Sequence, residues 1–114
     1  RFPKLDATYV LGDCGDEVLM RRTVLQHRPD ELFHAAAYKH VPLLEAQPRE
    51  AIRNNLMATD VVARAAVEGG VGTLVLISTD KAVNPANMLG ASKRLAELAC
   101  LARCEGSTTR LVTV

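Results

Sequence analysis

Asp80 and Lys81 stand side by side just after an apolar run, in "LVLISTDKAVNP". An acid and a base at adjacent positions can act as proton donor and proton acceptor once burial and neighbours move their pKa values toward neutrality. Thr79 precedes them and can orient a substrate hydroxyl, or close a local turn through its own hydroxyl. Lys93 follows at the start of a helical pattern, four residues after Leu89 and on the same face. A cation in the first turns of a helix opposes the helix dipole, which argues mildly for a functional reason. Lys39 and His40 follow a run of small residues. His27 and His34 stand without convergent partners, and no metal site is expected.

The elements that must position these residues alternate. Tyr9–Leu11 reads as a short strand that ends at Gly12-Asp13. Asp16–His27 reads as a helix with acidic residues in its first turn and a stop at Arg28-Pro29. "ELFHAAA", Glu31–Ala37, reads as a buried strand whose small end admits close approach to the backbone. "YKHVPLLEAQP" reads as an irregular connection. A long helix is expected from Pro48 to about Glu68, closed by Gly69-Gly70. Its apolar stripe is Ile52, Leu56, Thr59, Val62, Ala63 and Ala66. Asn55 falls on that stripe and needs a partner, because an unpaired buried polar group costs about 1–3 kcal/mol.

"TLVLIS", Thr73–Ser78, reads as a parallel strand covered on both faces. A last helix is expected over Asn87–Cys104, with Met88, Ala91, Leu95, Leu98 and Ala102 as its main apolar stripe. Thr109–Val114 closes the chain as a strand. The order β-α-β-α-β-α-β implies an α/β fold with a parallel sheet and right-handed crossovers. Ligands bind beyond the carboxyl ends of such strands. That edge collects Asp13, Ala35, Ala36, Ala37 and Ser78 through Lys81.

The totals exclude other classes. The 114 residues suffice for one domain, and the net charge of +1 gives no field for nucleic acid or an anionic membrane. Aromatic residues make up 4% of the chain, too few for a base-stacking platform. Cys14, Cys100 and Cys104 are an odd, sparse set that reads as structural thiols in a reducing compartment. No apolar run approaches the ~20 residues of a membrane span, and no signal peptide is visible.

Two blocks carry a resemblance. "FHAAAYKHVPLLEAQPREAIRNNLMATDVVARAA" and "LVLISTDKAVNPANMLGASKRLAE" resemble the nucleotide-sugar 4,6-dehydratases of capsular and polysaccharide biosynthesis, within the extended short-chain dehydrogenase/reductase superfamily. The likeness runs from about Gly12 to the C-terminus. It implies that residues 1–114 are the middle and end of an NAD(P)-binding Rossmann domain, a partial Rossmann fold lacking the first βαβ unit with its glycine-rich loop. It implies a UDP-N-acetylhexosamine substrate, oxidation at C4, loss of water across C5–C6 and hydride return to C6. It implies NAD or NADP, bound tightly by the full-length protein and weakly or not at all by this piece.

By the same resemblance Asp80 would be the acid for the leaving hydroxyl and Lys81 the base at C5. Thr79, with Lys39 and Asn84, would meet the substrate. Lys93 would meet the nicotinamide ribose. Asp13 would meet the adenine, and Ala35, Ala36, Ala37 and Ser78 would line the cofactor. Asn55 would be the helix Asn that holds the backbone beneath the site. The superfamily's Tyr-x-x-x-Lys pair is broken here, with Leu89 at the Tyr position. An epimerase of the same family and a non-catalytic dinucleotide-binding module are the alternatives. A homo-oligomer through the two long helices is expected, with a cytoplasmic catalytic domain and membrane association only through segments outside these residues.

Overall fold

The computed structural model describes residues 4–79, 82 and 87–114. Helix α1 (Glu17–His27) is followed by strand β1 (Glu31–His34) and short helices α2 (Val41–Ala46) and α3 (Pro48–Ala51). A π-helical segment, Ile52–Met57, leads without a break into α4 (Ala58–Glu68). Strand β2 (Thr73–Leu76), helix α5 (Met88–Cys104) and strand β3 (Arg110–Thr113) complete the chain. The sheet has the order β1-β2-β3 and both pairings are parallel.

Local chemistry sets the ends of these elements. The Asp16 carboxylate accepts from Leu19 N at 3.0 Å and caps α1. Arg28 closes α1 in the left-handed region at φ 43, donating to Val24 O, and Pro29 forbids continuation. Asn87 caps α5 by accepting from Gly90 N at 2.9 Å. The Glu45 carboxylate on α2 accepts from Met88 N, so the start of α5 is tied to α2 as well. Gly70, at φ +68, turns the chain after α4, a conformation open to glycine at no steric cost.

The structure corrects four expectations. Tyr9–Leu11 forms no strand, and Tyr9 and Leu11 are 92% and 101% exposed. A strand exists only in a ladder, and none of the three strands pairs with this segment. The expected irregular connection contains α2. A helix of six residues is too short to stand on local propensity, but Leu44 packs on Ala51 and Leu89 and supplies the tertiary support.

The third correction concerns the sheet, which is covered on one face among the described residues. Register places Phe33, Val75 and Val112 in one row, with Phe33 66% exposed, while Leu74 and Leu76 on the opposite face are buried under α4 and α5. The fourth concerns α5, whose buried face is Leu89, Ser92, Lys93, Ala96, Cys100 and Cys104. Leu95 and Leu98 of the expected stripe point outward, as does Leu101. The seat against α4 and the sheet is narrow, so small side chains fill it and leucines do not fit.

Candidate functional site

The carboxyl ends of the three strands come together, and the pairing runs past the strands themselves. Ile77 N donates to His34 O at 3.0 Å, and Ser78 N donates to Val114 O at 2.7 Å. This holds residues 77 and 78 flat at the edge from which Thr79 leaves. Thr79 is half-buried and its carbonyl accepts from Ala82 N at 3.1 Å. Asp80, Lys81 and Asn84 lie outside the described residues.

Lys93 reaches this edge from α5. Its ammonium donates to Ile77 O at 2.8 Å, and the residue is only 5% exposed. Burial pushes its pKa down, while the Glu97 carboxylate pulls the other way. Glu97 also accepts from the Ser78 hydroxyl and pairs with Arg94 at 3.0 Å. One acidic side chain on α5 thus steadies both the cation and the end of β2. Cys100 is buried and its thiol is pushed up to about 12, chiefly by desolvation, so it stays protonated. Among the described residues no cluster of side chains could hold a metal ion.

Asn55 finds the partner its burial demands. It is 0% exposed, and its side chain grips both backbone groups of Tyr38: Tyr38 N donates to Oδ1 at 2.8 Å, and Nδ2 donates to Tyr38 O at 3.1 Å. Nδ2 also donates to the Ser92 hydroxyl at 3.1 Å. With both amide ends on protein atoms, the Asn55 side chain ties the loop after β1 to α5. That loop presents Ala35 and Ala36 exposed, Ala37 half-buried and Lys39 exposed. His34 has a partner after all: Nε2 lies 2.9 Å from the Thr59 hydroxyl, and burial with the Lys93 charge lowers its pKa to about 4.

Asp13 lies in the turn that leads into α1. Its carboxylate accepts from Gly15 N at 2.8 Å, and its carbonyl from Asp16 N at 3.0 Å, so it shapes the turn into α1. It lines a cleft of about 720 Å³ with Gly15, Tyr38, Asn54 and Ala58. Lys93 and Ser78 do not line this cleft. Leu89 is 7% exposed and packs against Leu44 and Ala51. The position expected to carry a phenol is therefore part of a small apolar core.

Sequence reasoning missed Tyr38, Thr59, Ser92, Asn54 and Glu97. Glu97 lies one helical turn beyond Lys93, and Asn54 adjoins Asn55; both signals were visible. The role of Tyr38 rests on its peptide group, which no residue type announces.

The chain matches the family described as polysaccharide biosynthesis proteins over residues 2–114. It is 46% identical over 95 residues to the capsular polysaccharide biosynthesis protein CapD of Staphylococcus aureus, covering 83% of this chain and 16% of that one. It is 42% identical over 85 residues to the inverting UDP-N-acetylglucosamine 4,6-dehydratase of Campylobacter jejuni, covering 75% and 25%. A UDP-glucose 4-epimerase of Rickettsia canadensis is 46% identical over 77 residues, covering 68% and 23%. Among solved structures, the UDP-glucose 4-epimerase of Thermotoga maritima with UDP-glucose superposes with a TM-score of 0.87 at 20% identity, over 96% of this chain and 41% of that one. The parallel sheet with its helices is thus the Rossmann arrangement, in part. The chain spans about a sixth to a quarter of the length of the curated relatives it matches.

Proposed function

Because the chain belongs to the family of polysaccharide biosynthesis proteins, we propose that its full-length protein is an NAD(P)-dependent nucleotide-sugar 4,6-dehydratase acting on a UDP-N-acetylhexosamine. Residues 1–114 are then the middle and end of its dinucleotide-binding domain, and the activity belongs to the whole protein. The observation that carries the reading is the seat of Lys93, a buried cation delivered to the carboxyl edge of a parallel sheet beside Ser78 and Thr79. The 42% identity to a 4,6-dehydratase supports the reaction.

The residues fit a dinucleotide. Lys93 spends one donor on Ile77 O and has two more N–H groups for ribose hydroxyls. Ala35, Ala36 and Ala37 leave room for close approach, and Asp13 borders the cleft where an adenosine would lie. A bound nicotinamide supplies a reversible hydride acceptor for sugar C4. The 4-keto group that results makes the C5 proton acidic. Lys81 takes that proton, Asp80 gives one to the C6 hydroxyl, and water leaves. Hydride returned to C6 from a bound nicotinamide, with a proton at C5, would leave a net loss of one water. Thr79, Lys39 and Asn84 hold the sugar. Leu89 cannot take the C4 hydroxyl proton, which leaves Lys93 or Asp80 to assist.

Incubating the full-length protein with UDP-N-acetylglucosamine and following the sugar by NMR tests this. A new C6 methyl signal supports dehydration. Inversion without loss of the C6 hydroxyl selects the epimerase, which the relation to the Rickettsia canadensis epimerase favours. No turnover selects a non-catalytic module. A homo-oligomer through the outer faces of α4 and α5 and a cytoplasmic catalytic domain complete the proposal; no described helix is long and apolar enough to cross a membrane.

A further inference from the structure

A chain of buried polar side chains runs from β1 to α5 through the π segment. His34, Thr59, Asn55 and Ser92 are 4%, 1%, 0% and 1% exposed. The Thr59 hydroxyl donates to Asn55 O at 2.8 Å, which uses its single hydrogen. It can therefore only accept from His34, so the Nε2 of His34 carries the proton and donates at 2.9 Å. Ser92 passes its own hydrogen to Leu89 O at 2.9 Å while accepting from Asn55 Nδ2. Each link has a donor and an acceptor. The Thr59 bond falls on the carbonyl of Asn55, inside a π-helical segment. Such segments hold an extra residue per turn, which rotates the following helix face by about 100° relative to a plain helix. The direction in which Asn55 points is thus tied to how that turn is held.

We propose that His34 and Thr59 are positioning residues: the Thr59 hydroxyl, held by His34, pins the π segment so that Asn55 grips the Tyr38 peptide and sets the loop of residues 35–39. The inference rests on the reading of that loop as the place where a dinucleotide lies. Neither residue touches a ligand. Both act through Asn55, which also reaches Ser92, the neighbour of Lys93 on α5. The loop after β1 and the helix that delivers the cation are thereby set relative to each other by one amide.

The test uses the full-length protein with Thr59→Val and Thr59→Ser. Two readouts are taken well below the melting temperature: NADH affinity by fluorescence titration, and hydrogen exchange of the Tyr38 amide without dinucleotide. Thr59→Val is expected to weaken NADH binding and to speed Tyr38 exchange, each about tenfold, the size of one net hydrogen bond. Thr59→Ser keeps the hydroxyl and is expected to hold both within about twofold. A folded Thr59→Val protein with a lower melting temperature but unchanged affinity and exchange overturns the proposal, because the pair would then be only structural. Wild-type protein that binds no NADH overturns the dehydratase reading instead, and Tyr38 exchange alone then decides this one. Should Thr59→Val not fold, Thr59→Ala leaves room for a water and carries the same comparison with the same outcomes.

Discussion

Lys93 holds a cation where the surroundings disfavour one. Its lowered pKa means that folding opposes its charge, so it subtracts stability below the depressed value and the penalty fades as pH rises toward the ordinary 10.5. The groups facing it are Glu97 and Cys100 on its own helix and His34 from the sheet. Lys93→Met keeps the stem and removes the charge. Turnover in the full-length protein should fall by roughly a hundred- to ten-thousandfold, while its denaturation midpoint should hold or rise. A clear loss of stability would mean that the ammonium contributes to folding, against the sign of its shift.

His34 gives a second prediction. Its folded pKa of about 4 lies below the ordinary 6.5, so protonation opposes the fold. The stability is complete above pH 6.5 and drains as pH falls toward 4, by on the order of 3 kcal/mol. Urea midpoints measured from pH 7 to 4 should show this loss, and His34→Gln should flatten it. A curve of unchanged slope in the variant would assign the acid limb to other groups.

At the scale of elements, α5 is where periodicity misled. Met88, Ala91, Leu95, Leu98 and Ala102 suggest a buried stripe, yet the face against α4 and the sheet is made of Ser92, Ala96 and Cys100. Tight helix packing selects small side chains, and hydropathy does not report on that spacing. Ala96→Leu should therefore cost about 1–3 kcal/mol by overpacking, read as a lower urea midpoint. A neutral result would show that the seat has spare room. The long helix was legible as an element from Pro48 and Gly69-Gly70. Its π segment was not, because the partners of Asn55 there, the Tyr38 peptide and Ser92, lie far away in the chain.

For the whole molecule, the proposed homo-oligomer through α4 and α5 makes the outward leucines of α5 its candidate contact. Leu95, Leu98 and Leu101 are 46%, 45% and 56% exposed on one helix, an arrangement more apolar than a free surface usually shows. Leu98→Arg should shift the full-length protein to a smaller species in light scattering after gel filtration, with its circular dichroism unchanged. An unaltered mass would place the oligomer contact elsewhere or remove it.

The amino-acid sequence alone determined the alternation of long helices and strands from Asp16 onward, the parallel sheet and the family resemblance. These are local or nearly local: caps, proline and glycine stops, apolar runs and short motifs each act within a few residues. Tertiary structure alone decided which face of α5 is buried, that Tyr9–Leu11 has no ladder, that Leu89 belongs to a small core with Leu44 and Ala51, and that Asn55 serves the Tyr38 peptide. Each of these depends on a partner far away in the chain. Side-chain type sets what a residue can bond to, and only the fold brings the partner within reach.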